Sequence, residues 1–121
     1  MSIEGTPSRD QKARKVGQQQ SLYREVNERI TDLAATFDVV EQMEILCECG
    51  LDACVERITL SAGDYERLRS MPTHFAVLAG HELADFERVV EVRDGYVVVE
   101  KVGDSAVVAR RLDPRRRKDR A

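Results

Sequence analysis

The stretch MEILCECGLDACVERITL, residues 43–60, decides how the rest of the chain is read. Met43, Ile45, Cys47 and Cys49 alternate with Glu44, Leu46 and Glu48, the period of two of a half-buried strand. Gly50-Leu51-Asp52 reads as a turn, and Cys54 to Leu60 as a returning strand. The chain has 3 cysteines, and all fall at the tip of this hairpin with the spacing Cys47-x-Cys49-x4-Cys54. An odd number cannot pair completely within one chain, and clustered thiols in a reducing compartment point to metal binding or redox chemistry.

Zinc takes four ligands at tetrahedral angles, which places ligand sulfurs roughly 3.8 Å apart. Alternate residues of a flat strand share a face, but their Cα atoms are roughly 6.6 Å apart. The backbone must therefore bend, and Gly50 beside Cys49 makes a bend cheap. Four intervening residues suffice to bring Cys54 back to the same point. The fourth ligand must be one of the chain's 2 histidines. His74 sits at the start of a predicted strand. His81 follows Gly80 in a loop, from which a hairpin tip is easier to reach, and it is preferred. Glu82 beside it could orient the ring. The expected site is Cys47, Cys49, Cys54 and His81, a closed structural zinc type, although iron also uses such donors. The competing readings are inert buried cysteines and a thiol sensor. Acidic Glu48, Asp52 and Glu56 argue against the sensor, because reactive thiolates favour electropositive surroundings.

Working outward, Leu22, Val26, Ile30, Leu33 and Phe37 form an apolar stripe at helical spacing, predicting an amphipathic helix over 20–36. Arg24, Glu25, Glu28, Arg29 and Asp32 are expected on its solvated face. Ser61 and Asp64 have capping-box spacing, and Leu60 with Tyr65 has that of a hydrophobic staple, so a short middle helix runs to Ser70, before Pro72. Residues 75–79 alternate as a strand. Asp94-Gly95 between β-branched runs predicts a hairpin over 86–102. Asp104 or Ser105 could cap a short C-terminal helix ending at Leu112. The fold class is α+β: an N-terminal helix, a small antiparallel sheet of hairpins, and two short helices around the zinc site. The expected divisions are a flexible segment 1–19, one domain 20–113, and a basic disordered tail 114–121.

The chain has 121 residues, one domain's worth, and lacks Trp, so its core rests on aliphatic side chains. No apolar run is long enough to span a membrane, and the N-terminus is not a secretory leader, so a cytoplasmic protein is expected. Residues 21–113 carry net −9, which repels nucleic acid and anionic membranes. Residues 114–121 carry net +4, and only the tails could meet a polyanion.

The blocks LYREVNERI (22–30), ILCECGLDACVERITLSAGDYERLR (45–69), PTHFAVLAGHE (72–82) and ERVVEVRDGYVVVEKVG (87–103) resemble a small uncharacterised bacterial family common in actinobacteria, over about residues 20–114. Its C-E-C…C-x-x-R block corresponds to Cys47, Glu48, Cys49, Cys54 and Arg57, and its G-H-E block to Gly80, His81 and Glu82. The family often has proline where Ala79 stands. The resemblance favours His81 as ligand, brings in Arg57 as a supporting residue, and implies no enzyme activity. No phosphate loop, nucleophile elbow or H-E-x-x-H occurs. The expectation is a zinc-stabilised, non-catalytic binding or regulatory module, whose protein partner docks on helix 20–36 or hairpin 86–102. A redox sensor is the alternative, and nucleic-acid binding through the basic tail a weaker one.

Overall fold

The computed structural model describes residues 8–36, 42–51 and 54–119. Helix α1 spans Arg9–Thr36. Its start is set by a capping box: the Ser8 hydroxyl accepts the Gln11 N–H at 3.1 Å, and the Gln11 side chain accepts the Ser8 N–H at 2.8 Å. The segment expected to be flexible through residue 19 is therefore helical from Arg9, and its Ala13 and Gly17 are buried. Phe37 and Asp52 lie outside the described residues.

The orientation of α1 corrects the sequence reading. Gln20, Arg24, Asn27, Glu28 and Thr31 are buried, whereas Leu22, Val26 and Leu33 are exposed. The reversal is partial: Arg29 and Asp32 are exposed as expected, and Ile30 packs partly buried against the core. The polar face turns inward because it meets an irregular loop whose backbone needs hydrogen-bond partners.

Strands β1 (Gln42–Leu46) and β2 (Arg57–Ser61) pair antiparallel, with Met43 opposite Leu60 and Ile45 opposite Ile58. These alternate residues are buried. Both strands stop short of the cysteines, because side chains that must converge on one point cannot stay on a regular pleat. Ser61 caps α2 (Ala62–Arg69) by accepting the Asp64 N–H at 3.0 Å, and Leu60 and Tyr65 are both buried, as the staple requires. β3 (His74–Val77), β4 (Glu87–Arg93) and β5 (Tyr96–Lys101) form a second antiparallel sheet in the order β3-β5-β4, with β4 and β5 turning at Asp94-Gly95. The Glu48 N–H, donating to the Ala76 carbonyl at 2.9 Å, ties the end of the first hairpin to β3.

Helix α3 (Asp104–Leu112) starts from Gly103 at φ 60 with no side-chain cap, and Ser105 instead donates to the Phe86 carbonyl at 2.9 Å. Pro114 ends α3 but also opens α4 (Pro114–Asp119), where its fixed φ suits the first helical position. Arg115 of α4 pairs with Glu28 at 2.6 Å and Glu66 at 2.5 Å, so the basic tail is anchored at its start. Among the described residues no helix is long and apolar enough to cross a membrane.

α1 and α3 pack closely where Gly17 leaves room. A Cβ at Gly17 would lie 2.5 Å from Val108 Cγ1. Gly17→Ala should therefore destabilise by about 1–2 kcal/mol through overpacking, despite alanine's helix preference of about 1 kcal/mol. Gly63→Ala should be neutral or stabilising, since its Cβ would meet only Ser61 Oγ at 3.9 Å. Thermal melts of the two variants check the contrast.

Candidate metal centre

Cys47 and Cys49 follow β1, Cys54 precedes β2, and His81 lies in the loop after β3. One ligand atom from each of the four can be chosen so that all lie within 4.8 Å of one another. His81 Nδ1 is 3.7 Å from both Cys47 Sγ and Cys54 Sγ. This is close to the spacing that a tetrahedral metal imposes on its ligands. Cys47 and Cys49 are fully buried, while Cys54 and His81 are partly exposed, so the cluster sits just below the surface.

Three backbone amides serve the three sulfurs. The Leu78 N–H donates to Cys47 Sγ at 3.2 Å, the Leu51 N–H to Cys49 Sγ at 3.4 Å, and the Glu56 N–H serves Cys54. Amides directed at sulfur favour thiolates, the ligand form. The Cys49 thiol is brought down to about 5, chiefly because Cys47 donates to it. Cys47 is pushed up by that same donated hydrogen bond and by burial, and Cys54 is raised mainly by burial. Of the acidic neighbours, Glu48 points away from the sulfurs.

Of the two histidines, the fold brings His81 to the cysteines. His74 instead faces Glu100, with Nε2 3.4 Å from Oε2. Glu82 accepts the Gly80 N–H at 2.8 Å, bracing the loop that carries His81. Gly80 has φ 91, a left-handed conformation that favours glycine. Arg57 pairs with Glu44 at 3.4 Å on the exposed side of the hairpin.

Sequence reasoning missed the support behind the site. Glu48, between two of the clustered cysteines, is wholly buried and turned away from them. Its carboxylate accepts from Arg24 at 3.2 Å, Asn27 at 3.0 Å, the Tyr65 hydroxyl at 2.8 Å and the Ala76 N–H at 3.2 Å. The Arg24 guanidinium stacks 3.7 Å from the Phe75 ring centroid and also donates to the carbonyls of His74 and Pro72. α1 grips the cysteine-bearing loop along its length: Asn27 donates to the Leu46 carbonyl at 3.0 Å, Gln20 to that of Glu48 at 2.8 Å, Gln19 to that of Leu51 at 2.6 Å, and Tyr23 to that of Cys54 at 2.7 Å. Gly50, at φ 73, packs so closely on α1 that a Cβ there would lie 2.6 Å from Val16 Cγ1. The one available signal was the row Gln20, Arg24, Asn27, Thr31 at helical spacing, which spacing alone cannot assign to the interior.

No family model matches the chain, and neither a curated protein nor a solved structure matches it.

Glu48→Gln keeps the shape but removes the charge that neutralises Arg24. Losing one partner of a buried pair costs about 3–5 kcal/mol. The melting temperature should fall by more than about 10 °C. Arg57→Ala, which removes an exposed pair, should move it by less than about 3 °C. Equal shifts in the two variants would contradict the assignment of Glu48 as the internal anchor.

Proposed function

We propose that the chain is a zinc-stabilised, non-catalytic binding or regulatory module. The observation that carries this reading is the convergence of Cys47, Cys49, Cys54 and His81 on one point, all within 4.8 Å. Three thiolates and an imidazole make a complete tetrahedral set, and a set filled by protein atoms leaves no position for substrate. Two of the sulfurs are fully buried, which suits a site that holds structure together. Zinc fits because it has no preference for any geometry other than the one its ligands impose. Metal binding then contributes directly to folding free energy, since the unfolded chain has no preformed site. The resemblance to the actinobacterial family with C-E-C and G-H-E blocks belongs to this proposal and agrees with the same four ligands.

A second reading, a thiol-based redox sensor, draws on the lowered Cys49 thiol. Its burial works against it, because an oxidant must reach the sulfur. Nucleic-acid binding loses support from the pairing of Arg115 with Glu28 and Glu66, which commits part of the basic segment internally.

Elemental analysis of the purified, untagged protein should find about one zinc per chain. Cys47→Ser and His81→Ala should lose it, and His74→Ala should keep it. A strong chelator should lower the melting temperature by more than about 10 °C. A chelator that leaves the melt unchanged would sink the structural-zinc reading. Reversible loss of two protons on mild oxidation, seen by mass spectrometry in metal-free folded protein, would favour the sensor.

A further inference from the structure

α1 is amphipathic in the reverse of the usual sense. Its inner row is Gln20, Arg24, Asn27 and Thr31, all buried. A residue two positions further along a helix lies about 200° around it. Two positions on from that row come Leu22, Val26, Arg29 and Leu33. Leu22 is 57 % exposed, Val26 39 % and Leu33 58 %, and Arg29 is exposed. The flanks of the helix are taken. One side meets α3 and α4 through Gly17, Ser21 and Glu28, and the other meets β1 and the ligand loop through Tyr23 and Asn27. An apolar strip opposite a buried polar face is misplaced on a solitary domain, because aliphatic area facing water gains nothing for folding.

We propose that this outer face pairs with the same face of a second copy of the chain, the two α1 helices running antiparallel. The spacing 22, 26, 29, 33 advances by four, three and four, the alternation of a coiled-coil seam. It is self-complementary about a point between residues 27 and 28. Leu22 then meets Leu33 of the other copy at both ends, and Val26 meets Arg29 in the two middle layers. Each Arg29 comes beside the other copy's Glu25, which precedes Val26. A parallel pairing would set Arg29 against Arg29 and is disfavoured by their like charge. The seam from Leu22 to Leu33 is about 17 Å long, from the rise per residue of a helix. Two helices touching over that length bury less than the roughly 800 Å² per partner of a standard interface. The pair is therefore reversible, assembling at about 10 μM or above. Val55, 68 % exposed, follows Cys54, whose carbonyl accepts from the Tyr23 hydroxyl of this helix.

The test is sedimentation equilibrium of the full, metal-loaded chain between roughly 5 and 500 μM. The wild type should pass from monomer to dimer. Leu22→Glu/Leu33→Glu should stay monomeric throughout, with metal content and melting temperature unchanged in dilute solution, because neither side chain supports the monomer. Arg29→Glu should weaken the dimer at least about tenfold, and Glu25→Arg/Arg29→Glu should restore it. A wild type that stays monomeric at the highest concentration overturns the proposal. So does a dimer that survives the double glutamate variant, which would place the contact elsewhere. A monomer that melts earlier on Leu33→Glu overturns it too, in favour of the strip being covered by the chain's own residues.

Discussion

Glu48 stands between two of the four clustered donors and sends its carboxylate the other way, into the space where α1, α2 and β3 meet. Arg24 and Asn27 reach it from α1, Tyr65 from α2, and the Ala76 amide from β3. A carboxylate taken out of water costs several kcal/mol unless its lone pairs are filled and its charge matched. Here four donors, one of them a guanidinium, meet that demand. The consequence is positional. With Glu48 pinned inward, Cys47 and Cys49 must both face the opposite side, where Cys54 and His81 arrive. The same anchor that closes the interior thereby aims the sulfurs.

Such an interior is less apolar than a domain of this length usually contains. Besides Glu48 and Arg24, it encloses Glu87 with Lys101 at 2.8 Å and Arg69 with Glu28 at 2.9 Å and Asp113 at 2.5 Å. Among the described residues, Gln20 Oε1, Arg24 Nε and Arg69 Nη1 have no hydrogen-bond partner. Buried ion pairs add little net stability, since their desolvation offsets much of their attraction. A metal that joins the first hairpin to the loop after β3 would supply cohesion that aliphatic packing among Ile45, Ile58, Val77 and Val99 provides only in part.

Much of this was legible in the sequence where local chemistry is decisive. The Asp94-Gly95 hairpin, the Ser61 cap with its Leu60–Tyr65 staple, and the gathering of the three cysteines at one hairpin tip all follow from short-range rules. His81 could be preferred over His74 because a residue beyond a strand end is free to reach where one within a pleat is not. The start of α1 was also written locally, in Ser8 and Gln11, but a glycine at position 17 obscured it, and the reason for that glycine is the distant Val108. Periodicity could not say which face of α1 lies inside. Hydrophobic contrast measures a direction around the helix axis, not the identity of what waits there.

What waits there is the cysteine-bearing loop, and it explains the polarity of the helix. Once the chain leaves β1 to bring its sulfurs together, the Cys47 and Glu48 amides keep backbone partners, but the carbonyls of Glu48, Leu51 and Cys54 turn to side chains. A buried backbone group without a partner costs as much as a lost hydrogen bond. Asn27 covers both polar groups of Leu46, accepting its N–H at 2.8 Å while donating to its carbonyl, and Gln20, Gln19 and Tyr23 serve Glu48, Leu51 and Cys54 in turn. An apolar inner face could do none of this. The convergence of Cys47, Cys49 and Cys54 thus dictates an irregular loop, the loop dictates a polar helix face, and Leu22, Val26 and Leu33 are displaced to its outer side.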